Sequence, residues 1–353
     1  MEELLELGDP CTVALKDVAG CFQFWLHLPD VMPLYAVLGA IAANLLPGDP
    51  VWLGIVAPPS SAKTEILNAM SRLPNMHPAA TLTPASLLSG TAKKDRAVGA
   101  KGGLLRQIGD FGILILKDFG SVLSMRPDAK SEVLAALREV YDGSWTRHLG
   151  TDGGQTLTWS GNVGLIFGVT PILDTHHSVI AAMGERFLLC RQAPAGEEQA
   201  RRALGHAGSD TAKMRCELAE AVRQLFDRQL KTPRPLSENE RERLIELASL
   251  AVRIRSTVER ERNSREIESI HGAEGPARLV LALERLVAGL DSLGCERRLA
   301  FDVVGRVAMD SVPPLRWRAL QWLKDQKRRT ATSGGRGRSR DCLRIPPAAS
   351  WKI

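Results

Sequence analysis

An α/β fold is predicted for this chain: a three-layer αβα sandwich followed by an all-helical domain. Three observations predict it. Four short apolar runs (Val51–Val56, Gly112–Leu116, Val163–Val169 and Phe187–Cys190) have the length and continuity of buried strands, and each ends in a polar turn. Segments of helical pattern, such as Glu132–Tyr141, stand between them. Beyond residue 195 the strand signal gives way to charged amphipathic stretches, Gly196–Leu230 and Ser237–Glu261, the second opening on the capping pair Ser237 and Glu240.

The first strand leads through Ala57, Pro58, Pro59, Ser60, Ser61 and Ala62 into Lys63 and Thr64, and a helix opens at Glu65. This is the layout of a P-loop, which binds a nucleoside triphosphate. Backbone N–H groups at a helix N-terminus meet the phosphates, a lysine reaches the terminal ones, and a hydroxyl serves Mg²⁺. Lys63 and Thr64 supply the last two. Ala57, Ser60 and Ala62 stand where such loops favour glycine, so negative φ is expected at these positions, because alanine reaches positive φ only at a cost. A strand-to-helix turn carrying Lys-Thr without a ligand would read the same way.

The second strand runs into Lys117 and Asp118, placing an acid beside the phosphates. Two registers are open. If four apolar residues precede two acids, Lys117 takes the metal-holding position and Asp118 activates water; otherwise Asp118 holds the Mg²⁺ shell with Thr64 and Phe119 replaces the base. In both, one of two expected acids is missing, which points to slow or absent hydrolysis. Lys117-Asp118-Phe119-Gly120 also spells a protein-kinase metal motif, but no kinase catalytic loop precedes it.

The third strand ends in Thr170, at the place of a γ-phosphate sensor. The fourth follows Gly184-Glu185-Arg186, and Arg186 is positioned to reach a neighbouring subunit's phosphate and stabilise transition-state charge. An ordinary surface arginine is the alternative.

In this order of elements, residues 31 to 320 resemble AAA+ ATPases, and within them the branch with a hairpin before the first sensor, which includes minichromosome-maintenance helicases and bacterial enhancer-binding activators. Helicases of that branch tolerate alanine before the P-loop lysine, as in Ala62-Lys63-Thr64, and carry their arginine finger in an Arg-Phe pair, as in Arg186-Phe187. The resemblance implies a hexameric ring with ATP between subunits and a lid arginine at Arg278.

Trp145–Leu149 and Gln155–Trp159 flank the glycine-rich Gly150–Gly154 and read as a β-hairpin. In the resembling helicases such a hairpin projects into the ring's channel, so Arg147 and His148 are candidate DNA contacts. The loop from Thr91 to Gly103 carries Lys93, Lys94, Arg96 and Lys101 against the single acid Asp95. Basic groups on a mobile loop can follow a phosphate backbone without reading sequence. Solvated loops are the alternative for both.

At 353 residues, 44% hydrophobic and 24% charged, the chain has material for one large core and a smaller helical domain. The acidic start Met1–Glu6 lacks the positive segment of a signal peptide, and the stretch Val31–Gly48, interrupted by Pro33, Asn44 and Pro47, is short for a bilayer span. A buried helix, no membrane partner and a cytoplasmic location are the expectations. Cysteines 11, 21, 190, 216, 295 and 342 have neither zinc nor disulfide spacing, and His176-His177 reads as a polar loop. Residues 325–353 hold eight Lys or Arg against two Asp, the whole of the net +6, and Thr330–Arg340 has little to bury.

The expected organisation is an N-terminal helical extension (1–30), an ATPase core (31–195), a helical lid (196–324) and a disordered basic tail (325–353). The expected function is ATP binding and hydrolysis with Mg²⁺ in a homo-oligomeric ring that works on DNA as a helicase-like or translocating motor. The alternative is a nucleotide-switched assembly or regulatory protein that remodels a protein partner.

Overall fold

The computed structural model describes residues 14–89, 103–149, 155–176, 183, 186–194, 196–205, 210–256, 258–260, 267–270 and 275–332. Residues through Pro314 form one compact unit and those from Leu315 a second. In the first unit the elements are α1 (Leu15–Trp25), α2 (Met32–Leu45), β1 (Trp52–Val56), α3 (Lys63–Met70), β2 (Met76–Ala79), α4 (Pro84–Leu87), α5 (Leu104–Ile108), β3 (Phe111–Leu116), α6 (Gly120–Leu123) and α7 (Pro127–Tyr141). There follow β4 (Ser144–Leu149), β5 (Gln155–Ser160), β6 (Asn162–Val169), a 3-10 turn (Pro171–Thr175), β7 (Phe187–Arg191), α8 (Glu197–Gly205), α9 (Asp210–Phe226), α10 (Glu238–Arg255), β8 (Val258–Arg260), β9 (Ile267–Ile270), α11 (Ala277–Ser292) and α12 (Arg297–Asp310). Helix α13 (Pro314–Thr332) belongs, past its first residue, to the second unit.

Five strands form one sheet in the order β2-β3-β6-β1-β7, every pair parallel. The chain is thus α/β, and its helices on both sheet faces are compatible with a three-layer arrangement. One face carries Leu114, Leu116, Leu165, Phe167 and Val169, which share a core with Val133, Leu137 and Val140 of α7. The opposite face is covered by α2 and α3: a Cβ on Gly164 would lie 2.6 Å from the Asn44 side chain, and one on Gly168 would lie 3.0 Å from Leu67 Cδ1. Strands apolar on both faces are what this burial requires.

Helix α2, the buried helix expected before the first strand, is buried along nearly its whole length. Its one amide side chain in that run, Asn44, donates to the Ala40 and Val51 carbonyls and accepts from the Val51 N–H at 2.8 Å, fixing the start of β1. Across its other side runs α11. The two helices approach most closely at Gly39 and Gly289, where a Cβ on Gly289 would lie 2.1 Å from the Gly39 carbonyl oxygen. No side chain larger than hydrogen fits that crossing.

Two sequence expectations are corrected, and one strand is found that the sequence did not announce. Between α10 and α11 the antiparallel pair β8–β9 interrupts the region read as all-helical. Helix α13 continues to Thr332, past the boundary at 324. Strand β2, Met76-His77-Pro78-Ala79, lies at the sheet edge and has no alternating pattern to betray it; Pro78 is tolerated because an edge strand leaves its outward N–H positions unpaired. Residues 333–353 lie outside the described residues.

Candidate functional site

The carboxyl ends of β1, β3 and β6 lie side by side because β6 is inserted between the other two. In open α/β sheets this rim is where ligands bind. Three candidate residues meet there. Val56 pairs with Val169, and the Ala57 N–H donates to the Val169 carbonyl at 3.0 Å, which sets the loop after β1 against Thr170. The Phe119 N–H donates to the Gly168 carbonyl at 2.8 Å, which holds Lys117 and Asp118 beside the same strand.

The loop 57–62 departs from the expectation of negative φ. Ser60 and Ala62 take φ of 63° and 62°, and Ala62 is the left-handed N-cap residue of α3. Each such non-glycine residue costs on the order of 1–2 kcal/mol. The strain is held by local bonds: Ser61 Oγ donates to the Pro58 carbonyl at 2.8 Å, and Gln199 Nε2 of α8 donates to the Ser60 carbonyl at 2.5 Å. Left-handed residues within a turn make the backbone concavities that collect anions, here directly before the α3 N-terminus.

Lys63, the first residue of α3, sends its aliphatic stem over Gly168. A Cβ at that glycine would lie 3.0 Å from Lys63 Cδ and 2.8 Å from the Lys117 carbonyl oxygen. Burial lowers the Lys63 pKa, and the Asp118 carboxylate nearby offsets part of that shift. Thr64 is exposed, and Glu65 in the same turn is held below the ordinary carboxylate range, first by its hydrogen bond with Arg215. Thr170 stands at the mouth of the 3-10 turn with no side-chain cap bond.

The magnesium ion implied by the resemblance does not fit these residues. Phe119 is fully buried against Phe167 and Phe187, so it is a core residue and faces no ligand. Asp118 is exposed, but its Oδ1 accepts from the Gly120 N–H at 2.9 Å. On the face of α3, the last residue of the strand run is Lys117, in a cleft of about 370 Å³ with Glu65, Asn68, Arg72 and Arg215. Mg²⁺ takes oxygen ligands in octahedral geometry, whereas this corner presents cations. Among the described residues no group of three His, Cys, Asp or Glu is placed to hold a metal.

Arg186 lies at the other end of the sheet, the length of β1 or roughly 15 Å away. Arg186 precedes Phe187, which pairs with Trp52 at the amino end of β1. Arg186 is 7% exposed, and its guanidinium grips Asp142 at 2.7 and 3.0 Å, donates to the Met183 carbonyl and lies over the Tyr141 ring. The expected surface finger is therefore engaged within its own subunit. Arg278 is exposed on the first turn of α11. Burial raises the Tyr141 pKa, Asp49 adds to the rise, and Arg186 and Arg278 oppose it.

The hairpin forms as expected, with Trp145 opposite Trp159 and Arg147 opposite Leu157. Alternation turns these four inward, and Trp145, Leu157 and Trp159 join the core. Arg147 is accordingly tied down, donating to the Leu88 carbonyl at 2.9 Å. His148 faces outward and pairs with Thr156 Oγ1 at 3.0 Å. Lys93, Lys94, Arg96, Lys101 and the turn 150–154 lie outside the described residues.

Sequence reading missed Gln199, Arg215 and Gly168, whose relation to the loop comes only from tertiary packing. No helix among the described residues is long and apolar enough to cross a membrane. No protein-family model and no curated protein matches the chain. Among solved structures it is similar to two apo A-form structures of the NrS-1 C-terminal region, one of them spanning 305–718, each at 10% identity and TM-score 0.35 over 70% of this chain. The chain spans 56% of the length of those structures. A likeness this slight bears on neither fold nor activity.

Proposed function

We propose that this chain is a P-loop protein of the AAA+ type that binds ATP at the carboxyl end of its sheet and uses the nucleotide as a conformational switch in a homo-oligomer, with slow or no hydrolysis. One observation carries the reading: a strained loop enters α3, the Lys63 stem is laid across Gly168, and the strand ends that bear Asp118 and Thr170 adjoin there. Lys63 would meet the terminal phosphates and Thr170 would sense the γ-phosphate, while the loop 57–62 wraps the chain of phosphates. Lys117 in place of a second acid weighs against rapid turnover. A protein partner, remodelled as the site fills, is the output of such a switch.

A second reading is a DNA-directed motor, helicase-like or translocating, and it is favoured by the β4–β5 hairpin with outward His148. Titration with a fluorescent ATP analogue, on wild type and Lys63→Ala, tests the common part: equal affinity for both removes the site. ATPase rate with and without single-stranded or duplex DNA separates the rest. Stimulation selects the motor, and a low rate indifferent to DNA selects the switch.

A further inference from the structure

We propose that Lys117 takes the place of the divalent cation: the phosphates of a bound nucleoside triphosphate are neutralised by two side-chain ammonium groups, Lys63 and Lys117, and binding needs no Mg²⁺. This rests on the nucleotide site proposed above. The sheet register supplies the geometry. Leu116 pairs with Phe167, so the next residues, Lys117 and Gly168, stand abreast, and paired residues in a parallel sheet point to the same face. The Gly168 face is that of α3, since a Cβ there would meet Leu67 Cδ1 and Lys63 Cδ, each at 3.0 Å. Lys117 therefore projects toward the first turns of α3, and it shares a cleft with Glu65 and Asn68 of that helix. Its charge is among those that lower the Glu65 pKa, behind the Arg215 hydrogen bond and other contributions.

Both carboxylates at this corner carry hydrogen bonds, Glu65 on both oxygens and Asp118 on one. Glu65 receives two hydrogen bonds from Arg215, at 2.7 and 3.0 Å, and Asp118 receives the Gly120 N–H at 2.9 Å. With Arg72, the cleft around Lys117 holds three cations against one acid. A hydrated dication would be repelled from this corner, whereas a polyphosphate would be drawn to it. An ammonium supplies charge as a point donor without the octahedral ligand set that Mg²⁺ demands.

The test is equilibrium titration of the full chain with a fluorescent ATP analogue, in excess Mg²⁺ and in excess chelator. For wild type the two affinities should agree within about threefold, and Lys117→Ala should lose about tenfold or more in chelator. Lys117→Asp should bind only when Mg²⁺ is present. Lys117 is exposed, so both variants should keep the wild-type melting temperature. A wild-type affinity that falls more than about tenfold on chelation overturns the inference while leaving the nucleotide site standing. Absence of binding in both conditions overturns the site and this inference together.

Discussion

Arg215 of α9 forks onto Glu65 of α3, Nε to Oε2 at 3.0 Å and Nη2 to Oε1 at 2.7 Å. Since α3 opens at Lys63, this pair fastens the helical half of the chain to the turn that follows the candidate phosphate loop.

The pair is half exposed on the arginine side, so Arg215→Ala should cost no more than about 1 kcal/mol in chemical denaturation at neutral pH. Because the folded-state pKa of Glu65 is depressed, the contribution is present above the ordinary glutamate value near 4.5 and is lost as pH falls through the lower folded value. The stability difference between wild type and variant should hold from pH 7 to 5 and close at more acid pH. A difference unchanged down to pH 3 would refute the assignment.

Lys63 is predicted to make nucleotide affinity fall on the alkaline side. Burial lowers its pKa from 10.5, so in the free protein the ammonium is lost before an ordinary lysine would lose it. A bound polyphosphate favours the charged form, so protons are taken up on binding as pH approaches that range. Calorimetry in two buffers of different ionisation enthalpy measures the uptake, which should vanish in Lys63→Ala.

Ala62→Gly should stabilise the protein by about 1 kcal/mol, since relief of left-handed strain outweighs the extra unfolded-state entropy of glycine. Ser60→Gly should act in the same direction. Both are read from urea midpoints at constant m-value. Loss of stability in Ala62→Gly would mean that the loop does not hold φ near 62° in solution.

Arg186→Ala should destabilise the isolated chain by about 2–3 kcal/mol, because it strips a buried guanidinium from Asp142, Met183 and Tyr141. Asp142→Ala, which leaves that guanidinium uncompensated, should cost a similar amount. A surface residue acting only on a neighbouring subunit would leave thermal stability untouched.

Much of the sheet was legible because its strands are buried on both faces, so unbroken apolar runs mark β1, β3, β6 and β7 within a residue or two at each end. The hairpin was legible from two strand-like runs around glycines. Edge strand β2, only four residues with a proline, carries no such signal, and β8–β9 hides in a charged stretch that also suits a helix. The site was half legible. Lys63 and Asp118 follow from their place after strands, but the conformation of Ala62 contradicts its own propensity and is imposed by the surrounding bonds. The fate of Arg186 depended on Asp142 and Tyr141, distant in sequence and brought near by the fold.

The contact of Gly39 with Gly289 leaves little slack between α2 and α11, since Gly289 rests on the Gly39 carbonyl and the Ala43 backbone while the Leu286 and Leu290 side chains cover Gly39. Asn44, five residues along α2, grips the first turn into β1, and β1 feeds the loop before Lys63. A push delivered to α11 from outside would therefore pass to α2 by backbone contact at Gly289, and through Asn44 to the start of β1.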